Sequence, residues 1–319
     1  MKRCLIIINP SSGKHIIQNK LDRIIGQLTL QNIVEHFEIF YTEKKDDAYY
    51  KTRDCDENQY DFIMSVGGDG TLNEVISGMV DSHKKIPLCI LAAGTVNDFA
   101  NYLNIPNSVN GIVEMIKNFN VISSDVGKIN NQYFINVAAA GMFSDISFVV
   151  SKEEKKKFGP LAYYFKGMTQ LPQQLSTNLH LNVTVDNESF EEDAYIFAIT
   201  NTNRVGGFDG IIPFADINDG KLDLVIVKRC SVTDLIALIK DYRFGKHDKS
   251  PFIHYVQGQH IHITCDQDLT MDIDGEEGTH LPIDVHTLQK SIQLLLLIAS
   301  LLSSLSIPDS LDDTVFWSF

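Results

Sequence analysis

The chain has 319 residues, 44% of them hydrophobic and 21% charged, and a net charge of −14. That length suffices for two domains, and the apolar content is that of an ordinary globular protein. The acidic balance excludes nucleic acid as the main partner, because such a partner needs a basic face, and contact with an anionic membrane would need a local basic patch. Cys4, Cys55, Cys89, Cys230 and Cys265 are scattered, with no C-x-x-C pair. This is the pattern of a reduced, cytoplasmic protein with neither a disulfide framework nor a cysteine zinc site.

Residues 4–8 are a continuous Ile-rich run, as in a strand covered on both faces. Asn9-Pro10 ends it too soon for a secretory leader. Asn9, Pro10, Ser11, Ser12, Gly13 and Lys14 make a loop of turn formers, and a periodic helix is predicted over 16–30. Residues 34–41 alternate as a second strand, followed directly by Thr42. Residues 46–55 are polar and read as a helix.

Residues 62–66 are the right length for a buried strand. Gly67, Gly68, Asp69 and Gly70 follow. Thr71 then opens a helix with apolar positions Leu72, Val75, Ile76 and Met79. Thr71 is the predicted N-cap, and Glu74 stands at the capping-box spacing. A strand, a loop nearly free of side chains and a helix N-terminus make an anion site. A carboxylate such as Asp69 beside phosphates implies a cation between them, Mg²⁺, held directly or through water. No Gly-Lys-Ser/Thr follows, so this is not a Walker A loop.

Residues 86–91 form the next strand, ending in Ala92-Ala93-Gly94-Thr95-Val96-Asn97-Asp98-Phe99-Ala100. Two such loops at the carboxyl edge of one sheet form the crevice in which open α/β sheets bind ligands. Alternating strands and helices to about residue 125 predict a doubly wound α/β layer. From 126 onward the runs at 126–129, 133–138, 179–185, 194–200, 222–227, 260–265 and 269–273 predict an antiparallel β-sandwich or barrel. Helices interrupt it near 160–171 and 233–242. His260-Ile261-His262-Ile263 shows the two-residue strand period.

Gly67-Gly68-Asp69-Gly70-Thr71-Leu72-Asn73-Glu74, together with Gly94-Thr95-Val96-Asn97-Asp98-Phe99-Ala100, resembles the nucleotide-binding loops of the bacterial diacylglycerol kinase-like lipid kinases. Sphingosine kinases, NAD kinases and, more distantly, phosphofructokinases share part of the first loop. The resemblance runs over residues 3–290. It implies an α/β nucleotide domain of residues 1–126 with 285–319, and a β-sandwich of residues 127–284. It implies ATP held by the Asn9–Gly13 loop, Thr42, the Gly67–Glu74 stretch, and Gly94, Thr95 and Asn97. Lys14 would reach phosphates or a carboxylate network.

The family match makes Asp274, in Asp274-Gly275-Glu276, the general base, with Glu276 near the nucleotide or its metal. Read alone, Asp-Gly is first a hairpin signal, and the two-residue period puts Asp272 and Asp274 on one strand face. The family's Mg²⁺ ligands fall on Asp216, Asp219 and the main-chain oxygen of Lys221; residues 215–223 also read as an Asx-rich turn. Asp69, Asp98 and Asp125, with Lys14 and Asp219, are expected to form one charged network joining the domains. Arg204, in a loop similar to the family's, is either solvated or on a phosphate.

The resemblance implies an ATP- and Mg²⁺-dependent lipid kinase with diacylglycerol as acceptor; the protein is expected in the cytoplasm, either free or peripheral on the inner face of the cell membrane. Other readings are an NAD kinase, a kinase of phosphatidylglycerol, a sphingoid base or undecaprenol, and a non-catalytic nucleotide sensor. The second glycine loop and the Asp216/Asp219 pair favour the lipid kinases. Lysines and aromatics over 151–168 suit either a peripheral membrane contact or a solvated charge run. The apolar stretch 292–302 is shorter than the ~18 residues a spanning helix needs, so it is expected to pack as a last strand or helix. Residues past about 300 depart from the family pattern. Monomer and homodimer are both compatible with the sequence.

Overall fold

The computed structural model describes residues 1–12, 14–142, 179–206, 208–209, 212, 214–231, 233–235, 237–238 and 250–297. Four parallel strands form the first layer: β1 (Lys2–Ile8), β2 (Val34–Tyr41), β3 (Phe62–Gly67) and β4 (Leu88–Ala92), in the order β4-β3-β1-β2. The Ile-rich run of β1 is explained by its place between helices. One of its faces, Leu5 and Ile7, packs with Val75, Ile76 and Met79 of α3 (Asp69–Asp81). The other, Cys4 and Ile6, packs with Leu21, Ile24 and Leu28 of α1 (Lys14–Leu30) and with Ile112, Met115 and Ile116 of α5 (Val109–Asn118). Each of these apolar side chains removed from water contributes ~1.5–3 kcal/mol before the entropy of ordering is counted. Two shorter helices, α2 (Asp47–Asp54) and α4 (Asp98–Tyr102), complete the layer.

The second layer is antiparallel. Its strands are β5 (Asn120–Ile129), β6 (Gln132–Phe134), β7 (Val137–Gly141), β8 (Leu179–Val185), β9 (Glu188–Thr200), the short pair β10 (Arg204–Val205) and β11 (Phe208–Asp209), β12 (Leu222–Lys228), β13 (Ile253–Gly258), β14 (His260–Cys265), β15 (Thr270–Ile273), β16 (Glu276–His280) and β17 (Ile283–Leu296). The main path runs β16-β15-β7-β9-β8-β14-β17 and continues through β4 into the parallel sheet. Phe134, Phe197, Leu181, Leu224, Ile261 and Val285 fill its core.

The strand β17 links the two layers. Its first part pairs with β14, and Leu294 meets Leu88 of β4 in parallel, so the C-terminal strand returns to the first layer. β5 runs antiparallel beside it for most of its length. The stretch 292–302 is therefore strand as far as Leu296.

Some expectations are corrected. The helix α3 starts at Asp69 with Gly68 as its cap residue, and no side chain caps it. Thr71 is already inside the helix. Glu74 turns away to accept from the backbone amides of Asp46 and Ala48, 3.1 and 3.2 Å away, which bind it to the start of α2 rather than to its own helix. The run 133–138 is two strands, β6 and β7, and the break between them leaves the amides of Ile135 and Asn136 free of the ladder for another partner. β13 and β16 carry no strand signal in the sequence: β13 is too irregular in its polarity, and β16 is mostly polar. Residues 233–235 and 237–238 are helical. The expected helix over 160–171, the lysine-aromatic stretch 151–168, Gly13 and the tail past 300 lie outside the described residues. Among the described residues, no helix is long and apolar enough to cross a membrane.

Candidate active site

Parallel strands deliver their loops to one edge, and the carboxyl ends of β1, β2, β3 and β4 place Asn9, Thr42, Gly67–Gly68 and Gly94 together. Asn9 is fixed by its amide on the Val66 carbonyl at 2.9 Å and by its side chain on Thr71 Oγ1 at 3.0 Å. Its Oδ1 accepts from Ser11 N and Oγ, and Ser12 N donates to the Asn9 carbonyl, a tight turn that keeps Pro10 on the outside. Thr42 N donates to the Ile8 carbonyl.

The two glycine loops touch. A Cβ on Gly94 would lie 2.7 Å from the Cα of Gly68 and 2.7 Å from Asn97 Oδ1. Only residues without side chains allow this approach. Asn97 locks the second loop from within: its Oδ1 accepts from Gly94 N, and its Nδ2 donates to the Gly94 carbonyl. Its own amide donates to Asp69 Oδ2 at 2.9 Å, which joins the two loops. Asn97 has φ 53, the left-handed conformation that Asn tolerates best among residues with a side chain.

Across from these loops stands the turn between β15 and β16. Asp274 and Gly275 both have positive φ, 50 and 85, as the centre of a two-residue hairpin requires. The hairpin reading of Asp-Gly is thus correct, and the same turn carries the candidate base. Asp272 is spent on the turn, with its Oδ1 accepting from Gly275 N at 2.7 Å. The period of two stops at Ile273, so Asp274 does not continue the face of Asp272.

Four donors surround the Asp274 carboxylate. Asn136 N and Val137 N lie 3.0 and 2.9 Å from Oδ1, and Ile135 N and Asn73 Nδ2 each lie 2.8 Å from Oδ2. Asn73 is on α3 and also donates to the Tyr133 carbonyl. It therefore ties α3 to the hairpin. Glu276 approaches the same helix: its Oε1 would be 3.8 Å from a Cβ on Gly70.

The carboxylates fall into two groups. Burial pushes the Asp69 carboxyl from its ordinary 3.8 up to about 6, assisted by the charges of Asp98 and Asp274. Burial also raises Asp274, against its four hydrogen bonds, which favour the anion. Asp98 is paired with Arg204, Nε to Oδ1 at 3.3 Å, so this arginine is neither solvated nor free. Asp125 belongs to the second group. It is fully buried, accepts from Gly220 N at 2.7 Å and Lys290 N at 2.6 Å, and its neighbouring charges are Asp219 and Asp216. The single network expected from the sequence thus resolves into Asp69–Asp98–Asp274 and Asp125–Asp216–Asp219. Asn201 connects them, its Nδ2 donating to the carbonyls of both Asp125 and Ile135. Lys14 opens α1, and its side chain lies outside the described residues.

In the second group Asp216 Oδ1 accepts from Asn218 N, and Asp219 Oδ1 accepts from Lys221 N at 2.9 Å. Both are the Asx turns expected of the sequence. Burial, then the Asp216 charge, raises the Asp219 carboxyl. Asp223, the last residue of the 215–223 stretch and given no role by the sequence, is buried beside this loop, held by Tyr255 and Gln257 and raised by burial. Sequence reasoning missed Asn136 and Thr202, which bond to each other behind Asp274. An asparagine inside the apolar run 133–138 was the available signal.

Asp69 yields a prediction. The folded chain holds its proton more tightly than the unfolded chain does, so stability contributed here falls as pH rises through about 4 to 6. Asp69→Asn removes a buried charge worth roughly 1–2 kcal/mol at neutral pH after allowance for partial solvation, and Asn can still accept from Asn97 N. Its Tm should rise by ~2–4 °C at pH 7.5, with the gap closing by pH 4.5, as thermal melts at the two values would show. A lower Tm at pH 7.5 would contradict the repulsion.

An α/β layer with two facing glycine loops and an acidic hairpin across from them forms a crevice whose backbone amides suit an anionic ligand. Residues 3–129 match the diacylglycerol kinase catalytic domain, and residues 136–296 match the YegS C-terminal NAD kinase beta sandwich-like domain. Diacylglycerol kinases of Staphylococcus epidermidis and Staphylococcus aureus strain Newman are 33% and 34% identical over 293 residues, 92% of this chain and 92% of theirs. A diacylglycerol kinase crystal structure from Bacillus anthracis superposes with a TM-score of 0.74 at 25% identity, covering 93% of this chain and 98% of that one. The chain belongs to the diacylglycerol kinase family and is an enzyme of the lipid kinase class.

Proposed function

We propose that this enzyme transfers the γ-phosphoryl group of ATP to the free hydroxyl of diacylglycerol, with Asp274 as general base, and that it works at the cytoplasmic face of the membrane as a peripheral protein. The observation that carries the reading is the Asn73–Asp274 hydrogen bond at 2.8 Å. It sets a carboxylate of the sandwich over the first turns of α3, where the glycine loops leave room for phosphates. Phosphoryl transfer asks for positioning, neutralised charge and an acceptor for the hydroxyl proton. The amides at the N-terminus of α3 suit phosphate oxygens.

A carboxylate has about four lone-pair sites, and Asp274 has four donors. Three are backbone amides held by the β6–β7 break. Asn73 is the one side chain among them, so it is the donor that an incoming hydroxyl displaces. Asp274 Oδ2 then accepts the hydroxyl proton, and burial, which raises this carboxyl, makes it a better base near neutral pH.

The residues fit Mg²⁺. Asp216, Asp219 and the Lys221 carbonyl are hard oxygen donors, and a dication would offset the burial and the Asp216 charge that together raise Asp219. When bound, the ion would supply positive charge to the Asp216–Asp219 loop. Asp125 holds the Gly220 amide, and with it this loop, against β17.

The test is a labelled-ATP assay with diacylglycerol, phosphatidylglycerol, a sphingoid base, undecaprenol and NAD offered in turn. Label should appear in phosphatidic acid at a rate well above that in any other product. Preferred transfer to another acceptor would replace diacylglycerol, and preferred transfer to NAD would overturn the lipid reading.

A further inference from the structure

We infer that His260, His262, Asp284 and His286 form a surface site for a borderline divalent transition-metal ion such as Zn²⁺, Ni²⁺ or Cu²⁺, separate from the cation of the kinase reaction. The strands β14 and β17 pair antiparallel with His260 opposite His286 and His262 opposite Asp284. Two residues apart on each strand, these four side chains stand on one face as the corners of a square. The alternate positions, Ile261, Ile263, Ile283 and Val285, point the other way into the sandwich core and are fully buried. Register slippage is thus disfavoured, because a one-residue shift would bring the polar square into the core.

The donors already converge. A ring nitrogen each of His260 and His286 and a carboxylate oxygen of Asp284 all lie within 4.8 Å of one another. His260 Nε2 bonds directly to Asp284 Oδ1, His286 Nε2 lies 3.5 Å from Oδ2, and His262 Nδ1 lies 3.9 Å from Oδ1. The rings of His260 and His286 stack, with centroids 4.3 Å apart and planes 5° from parallel, so both direct the same nitrogen at one carboxylate. A tetrahedral ion with bonds of ~2.0–2.2 Å needs donors roughly 3.3–3.6 Å apart. Small side-chain rotations close that difference, and these side chains are 44–50% exposed and free to make them.

Donor chemistry selects the ion. Imidazole nitrogens suit zinc, nickel and copper, whereas Mg²⁺ prefers oxygen. An ion here would clamp β14 to β17, the strand that continues into the parallel sheet. A single carboxylate does not need three imidazoles to be paired, which is why the square reads as a ligand set rather than a surface ion pair.

The test uses the full chain with excess Mg²⁺ present, in a Cys230→Ser/Cys265→Ser background that removes the two accessible thiols. Cu²⁺ should bind at one equivalent per chain and give an electron paramagnetic resonance spectrum with coupling to two or more nitrogens. Calorimetry with Zn²⁺ should also give one equivalent, and His260→Ala/His286→Ala should weaken it at least tenfold while leaving the Mg²⁺-supported kinase rate unchanged. Unaltered Zn²⁺ affinity in that variant would overturn the site. So would a copper spectrum without nitrogen coupling, a measurement on the unaltered square that holds even if the double variant does not fold.

Discussion

Turnover of Asp274→Asn is expected to fall by roughly 10²–10⁴-fold, the usual contribution of a positioned general base, while ATP binds as tightly as before. The substitution keeps the shape of the side chain and removes its capacity to take a proton. ATP contacts are expected from the glycine loops, and those loops are held by Asn9, Asn97 and Asp69 rather than by Asp274. A secondary effect follows from the donor count. An asparagine can satisfy Asn136 N and Val137 N with its oxygen, but its NH₂ then faces Ile135 N–H and the Asn73 amide, two donors against a donor. That mismatch costs ~1–3 kcal/mol, so a drop in Tm should accompany the kinetic loss. Steady-state rates, ATP titration by calorimetry and a thermal melt separate the effects. Turnover close to wild type would remove Asp274 as the base, whatever the melt shows.

The second large effect is expected at Asp219. Asp219→Ala should raise the Mg²⁺ concentration for half-maximal rate at least tenfold or abolish activity, as one of two carboxylates is lost from a site that Mg²⁺ otherwise shares with water. Folding should suffer little. The change relieves repulsion with Asp216 and Asp125 while removing the turn contact to Lys221 N, and these oppose each other. A Mg²⁺ titration of the rate is the measurement, and an unchanged midpoint would exclude Asp219 from the metal site. Asp216→Ala should also raise the Mg²⁺ midpoint, because it too would remove one carboxylate from the proposed ligand set.

The sequence was informative wherever the signal was local. The two-residue period identified 34–41, 179–185 and 260–265 as strands, and the structure has β2, β8 and β14 at those bounds. Glycine runs at strand ends identified both loops of the crevice, since few residues besides glycine permit such approaches. Local rules also erred locally: Thr71 and Glu74 have capping-box spacing, yet the cap residue is Gly68, three residues before Thr71, and Glu74 serves the neighbouring helix α2. Spacing states what a side chain can do, and competing partners decide what it does.

Composition, periodicity and turn chemistry by themselves determined a two-layer chain with a glycine-lined crevice and an acidic hairpin, because each depends on neighbours a few residues away. Tertiary structure alone decided that Asn73 meets Asp274 across 201 residues of chain, that Asp125 lies beside Asp219, and that His260 and His286 close on Asp284 with His262 3.9 Å away. Those pairings follow from strand register and from the path of β17 between the sheets. Register is set by which apolar faces are buried together, a condition on the whole core that no short window of residues contains.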